Sequence, residues 1–70
     1  MTKYLLILQV CSFLTGECKP PIQYGPYNNW HECSMAGMLN GMTQLQKESS
    51  QDINTYRLAV KFGCTPVNEV

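Results

Sequence analysis

Charge is scarce in this sequence. Only 14% of its 70 residues are charged, and five basic side chains balance five acidic ones. A protein that binds nucleic acid neutralises phosphates with clustered lysine and arginine side chains. The sequence has no such cluster, so nucleic acid is not an expected partner. The 44% hydrophobic content argues against a disordered chain.

The sequence also lacks the spacings that catalysis and metal binding need. Its carboxylates are scattered, and neither a glycine-rich phosphate loop nor a serine-nucleophile motif is present. The cysteines include no Cys-x-x-Cys pair of the kind that structural zinc sites use. His31 and Cys33 lie two apart on a predicted helix, so their side chains point about 200° away from each other. We therefore expect neither an enzyme nor a bound cofactor or metal.

The longest apolar run, residues 4–14, is too short to span a membrane. It could be a buried strand that ends at Thr15-Gly16. It could instead be a secretory signal peptide, residues 1–16, with Lys3 as its charged start. A cut after Gly16 would remove Cys11 and leave an odd number of cysteines, which needs a free thiol or an intermolecular bridge. The strand interpretation is therefore favoured.

Helical periodicity extends over residues 30–47, approximately. Asn29 is a good N-cap, and the Glu32 carboxylate can reach back to the Asn29 backbone N–H. Gly37 and Gly41 share one face and predict a close-packing seam against another element of the chain, with a dimer contact as the alternative. Either the chain itself covers the second apolar stripe, or that stripe is a partner surface; its residues are Met35, Leu39 and Met42.

The flanking segments complete the predicted architecture. Residues 15–28 form a Pro-rich loop, because the prolines cannot sustain a helix or a central strand. Residues from about 55 to 64 alternate between apolar and polar and predict a strand, and residues 66–70 a loose tail. The predicted fold is a single α+β domain of strand, long loop, helix and strand, with the direction of the first strand left open. Two strands make a marginal sheet, so a homodimer could extend it.

Four cysteines allow three disulfide pairings. A short turn joins the predicted helix to the last strand, so the two elements run antiparallel and the start of the helix meets the end of the strand. This brings Cys33 near Cys64 and leaves Cys11 to pair with Cys18. The rival scheme joins Cys18 to Cys33 and Cys11 to Cys64. Both schemes stay open at this point.

Several short motifs resemble a family of very small proteins from marine T4-like bacteriophages, meaning cyanophages and related uncultured marine viruses. Most of the chain is covered, and the matching segments are Trp30-His31-Glu32-Cys33, Ala36-Gly37, Ile53-Asn54-Thr55-Tyr56, Lys61-Phe62-Gly63-Cys64, Cys11-Ser12 and Cys18-Lys19-Pro20-Pro21. The family often has an aromatic residue after the helix glycine, whereas this chain has Met38. The resemblance implies a small viral accessory protein made in an infected bacterium. It implies no activity, cofactor or catalytic residue.

These observations support three functional hypotheses. The first is a small viral accessory protein in the host cytoplasm, a non-enzymatic interaction module that binds a protein through the methionine-containing stripe or a sheet edge. The second is a secreted or periplasmic module stabilised by disulfides, with residues 1–16 as its signal peptide. The third is a thiol redox or metal-binding protein that uses Cys33 near a helix start.

Overall fold

The computed structural model describes residues 2–68. They form β1 (Thr2–Ser12), β2 (Ile22–Tyr27), α1 (Trp30–Gln46), α2 (Ser50–Tyr56) and β3 (Leu58–Asn68). The strands make an antiparallel sheet in the order β2-β1-β3, and α1 packs across one face of it. This confirms the α+β class with one long helix on a sheet. The predicted two-stranded sheet is wrong, because the structure has a third strand.

The apolar run near the start of the chain is β1, the central strand. Side chains alternate between the two faces of a strand, and Leu6, Leu8 and Val10 point toward α1. Leu6 and Leu8 are fully buried, and Val10 is nearly so. Because β2 and β3 both pair with β1, a chain cut after Gly16 would lack the strand that holds this sheet together.

The predicted loop over residues 15–28 is wrong for its second half, which forms β2. The proline argument excluded a central strand, but β2 lies at the sheet edge, where a missing N–H is tolerated. The β1–β2 register shifts by one residue between Tyr4 and Leu6. Gly25 lies opposite this shift with φ 104°, and its peptide bond to Pro26 is cis. A Cβ at Gly25 would lie 3.2 Å from the Tyr4 carbonyl oxygen, so the close approach of the two strands favours glycine there.

The predicted boundaries of the last strand, residues 55–64, are also wrong. The polar segment before it forms α2, capped by Ser49, whose hydroxyl accepts the Asp52 backbone N–H. Arg57 ends α2 in the left-handed conformation, with φ 52° and ψ 55°. β3 then continues to Asn68, so residues 66–68 of the predicted tail belong to a strand, and residues 69–70 lie outside the described residues. β3 is long because it pairs with the full length of β1.

Local signals at the start of α1 act as the sequence indicates, with one correction. The Asn29 side chain accepts the Glu32 N–H at 2.8 Å. The Glu32 carboxylate accepts the N–H of Asn28 rather than that of Asn29. Trp30 packs edge-on against Tyr4 of β1, with ring centroids 5.8 Å apart. The helix ends at Gln46, one residue before its predicted end.

Candidate interaction surface

Gly37 and Gly41 bring α1 directly onto β3. A Cβ built at Gly37 would lie 2.3 Å from ring atoms of Phe62, and one at Gly41 would lie 2.9 Å from a methyl carbon of Val60. Both glycines are buried. The structure therefore places β3 of the same chain, and not a second molecule, against these two positions.

The opposite side of α1 is left uncovered by this chain. The buried residues of α1 are Cys33, Gly37 and Gly41. Its large apolar side chains are instead mostly exposed, and the set along its outer side is called here the methionine face: Met35, Met38, Leu39 and Met42. Their exposed fractions range from 48% to 63%. The predicted partner stripe lies on this face, and Met38 lies there as well.

An apolar groove runs between α1 and β3 beside the methionine face. We call it the α1–β3 groove, and none of its lining residues is charged: Gly37, Met38, Gly41, Met42, Leu45, Val60 and Phe62. Phe62 remains 40% exposed at its margin although it contacts the helix. The groove therefore exposes apolar surface next to a sheet edge.

β3 forms that edge, and its outward hydrogen-bonding groups can be identified. The Phe13 N–H donates to the Arg57 carbonyl just before β3, and the β1–β3 register continues from that pair without a shift. Hydrogen-bonded pairs alternate along antiparallel strands. The odd-numbered residues of β3 thus bond to β1, and the even-numbered ones point their backbone groups away from it. Within residues 2–68 no strand pairs with this outer side.

The two sheet edges differ in how well they could accept another strand. β2 is six residues long and contains Gly25 and Pro26. β3 is 11 residues long, and its proline, Pro66, lies close to its end. Prolines, bulges and short strands protect natural edges from pairing. By that criterion β2 is the protected edge and the first part of β3 is the open one.

The disulfides fix both ends of this arrangement. Cys33–Cys64 joins the first half of α1 to β3, with its Cα atoms 6.2 Å apart, and Cys33 is fully buried. Cys11–Cys18 joins β1 to the segment before β2, with its Cα atoms 4.0 Å apart. The structure contains these two pairings and not the rival ones, and no cysteine is free. Cys33, considered above as a redox or metal-binding thiol, is therefore half of a disulfide.

The remaining candidate chemistry is not assembled into a site. Among residues 2–68 no group of three or more histidine, cysteine or carboxylate side chains could hold a metal ion. His31 is exposed on the first turn of α1, beside Glu32. No helix in the described part of the chain has both the length and the apolarity needed to cross a membrane.

Sequence reasoning missed the α1–β3 groove, and it proposed a sheet edge as a binding surface without identifying β3 as the open one. The alternation through Val60 and Phe62 was visible, as was the spacing of the glycines, and together they indicate that α1 packs on the last strand. What the sequence could not show is that α1 covers only part of these side chains. That depends on where the helix axis lies relative to the sheet.

Comparison with known proteins returned no relatives: no protein-family model matches the chain, and no curated protein or solved structure is significantly similar to it.

Proposed function

We propose that this chain is a non-enzymatic protein-interaction module that binds a partner through the methionine face of α1. The resemblance to marine phage proteins extends this proposal to an accessory role in an infected bacterium. The observation that carries it is the exposure of large apolar side chains along the outer side of the longest helix. Soluble proteins seldom expose contiguous apolar patches unless the patch binds something. Methionine side chains adapt well to a partner surface.

The same surface is rigidly supported. Cys33–Cys64 ties α1 to β3, Gly37 packs against Phe62, and the Gln44 side-chain amide donates to the Tyr24 hydroxyl of β2 at 3.1 Å. Binding costs less entropy when the binding surface is ordered beforehand. A helix held at three points to the sheet is thus suited to present a fixed apolar face.

The test uses Leu39→Glu, which places a charge in the centre of the methionine face at a residue that is 63% exposed. The matched control is Gln46→Glu, the same charge change at the exposed last residue of α1. Tagged wild-type and variant chains are used to recover bound proteins from infected or expressing cells. We expect a partner that wild type and Gln46→Glu retain and that Leu39→Glu loses. Recovery of the same proteins by all three would contradict the proposal.

A second candidate concerns the compartment in which the chain works. Two disulfides and no free thiol are compatible with a disulfide-stabilised module in an oxidising environment. Because β1 supplies the central strand, this candidate is most consistent with a chain that keeps residues 1–16. The test is the intact mass after alkylation under non-reducing conditions. A full-length mass with no alkylated cysteine supports it, and four alkylated cysteines would contradict it. A mass that begins at Glu17 would instead show that a signal peptide had been removed, together with β1 and the Cys11–Cys18 disulfide.

A further inference from the structure

We propose that a second copy of this chain pairs with β3 along its open edge, with Val60 of each copy on the twofold axis. The result is a six-stranded antiparallel sheet that carries both α1 helices on the same face. This arrangement rests on the proposed function in one respect, that the chain acts by binding protein. It names the partner and the register for pairing at the β3 edge. The pairing also covers Met38 and Met42 of the methionine face, and it leaves Met35 and Leu39 exposed.

The small core is the first reason for a second copy. The fully or nearly fully buried apolar residues within residues 2–68 are Leu6, Leu8, Val10, Cys11 and Cys33. Chains of this size often complete a core by oligomerisation. The formal net charge is zero, so electrostatic repulsion between copies does not oppose self-association.

The second reason is that the side chains of β3 suit a strand that pairs with the β3 edge. A strand added beside β3 must place apolar side chains on the α1 side, where the α1–β3 groove is entirely apolar. On β3 the residues on that side are Leu58, Val60 and Phe62, and Lys61 points to the opposite face. A second β3 therefore fits the position without burying a charge in the groove.

The register follows by exclusion among axes from Ala59 onward, because an axis at Leu58, the first residue of β3, would leave no other β3 residue opposite β3 of the second copy. A twofold axis at Lys61 would place the lysines of the two copies directly opposite each other. An axis at Ala59 would place Lys61 opposite Arg57 of the second copy. Like charges in these positions repel. Any axis from Phe62 onward sets Pro66, which has no N–H, opposite a residue that needs a hydrogen-bond partner. An axis at Val60 avoids all three conflicts, because Pro66 then falls outside the paired segment.

The spacing of the two helices agrees with pairing through β3, whichever residue lies on the axis. The Cβ position of Gly41 is 2.9 Å from Val60 on β3 and 3.7 Å from Leu8 on β1, so α1 lies over the boundary between these strands. The dimer axis would be one strand spacing farther out, and the two helices would lie about 10 Å apart. Helices pack at about 8–10 Å. Met38 and Met42 of both copies would fill the space between them.

Sedimentation equilibrium on the intact, disulfide-bonded chain tests the proposal, and we expect a reversible dimer. With Val60 on the axis, position 59 lies opposite Lys61 of the second copy. Ala59→Glu creates two symmetric opposite-charge pairs and should lower the dimer Kd between about twofold and about thirtyfold, and Ala59→Lys should raise it by a similar factor. The matched control is Thr65→Glu, on the same face of β3 but outside the paired segment, which should leave the Kd unchanged.

Three results would overturn the proposal. One is a chain that stays monomeric at millimolar concentration. Another is a Kd that responds to Thr65→Glu and not to Ala59→Glu, which would assign a different register. The third is a dimer that Leu39→Glu abolishes and changes at position 59 do not affect, because the copies would then meet through the methionine face. The proposed function is tested separately, by recovery of bound proteins. It fails if Leu39→Glu recovers the same proteins as the wild-type chain.

Discussion

Gly37→Ala sets two known effects against each other at the contact between α1 and β3. In an open helix position, alanine is favoured over glycine by about 1 kcal/mol. Here the new Cβ would lie 2.3 Å from the Phe62 ring, and overpacking of this kind costs about 1–3 kcal/mol. The clash outweighs the propensity gain, so we expect the free energy of unfolding to fall by about 1 kcal/mol.

A double-mutant cycle with Phe62→Ala separates the two effects. Phe62 is 40% exposed, so its truncation should cost less than the roughly 3–5 kcal/mol typical of a fully buried phenylalanine. In the Phe62→Ala background the clash is gone, and Gly37→Ala should then raise the free energy of unfolding by about 1 kcal/mol. The sign of the Gly37→Ala effect therefore reverses, with a coupling energy of about 1–3 kcal/mol.

The assay is urea unfolding followed by circular dichroism, with both disulfides intact and at a concentration where the chain is monomeric. Gly63→Ala is the control, because a Cβ at Gly63 would have no neighbour within 4 Å. We expect it to be neutral or stabilising. If Gly37→Ala stabilises the wild-type chain as much as it stabilises Phe62→Ala, then α1 does not pack on Phe62 and the reasoning is refuted.

Three further predictions concern the disulfides and the end of α2. Replacing both Cys33 and Cys64 with alanine should cost about 4 kcal/mol in urea unfolding, against about 2.5 kcal/mol for Cys11 and Cys18, because the first pair closes the longer loop; equal losses would contradict this. Brief treatment with a small thiol, then alkylation and peptide mass mapping, should find Cys11–Cys18 reduced first, since Cys18 is exposed and Cys33 is fully buried. The reverse order would refute the burial argument. Arg57→Gly should raise the thermal midpoint, because glycine adopts the left-handed conformation without strain. Arg57→Ala keeps the Cβ and serves as the control, and an equal rise in both would point to the lost charge instead.

Local chemistry made part of this structure predictable. Asn29 caps α1 because its side chain and the first free N–H groups are neighbours in sequence. The short turn expected between α1 and the last strand is wrong, because α2 lies between them. The two elements nevertheless run antiparallel, so Cys33 and Cys64 meet as expected. The α+β class followed from a period of 3.6 for α1, a period of 2 for the last strand, and the continuous apolar run of the first. Each of these inferences needed only residues close in the chain or the order of the elements along it.

Tertiary structure decided the rest. Pro26 excludes a central strand, and only the strand order makes β2 an edge where that proline is tolerated. Ser49 can cap a helix or begin a turn, and α2 forms where the chain must reach the start of β3. The exposure of Met38 and the open edge of β3 depend on the position of α1 over the sheet, which long-range packing sets. A sequence pattern states which faces are apolar, but whether another element covers them is a property of the assembled molecule.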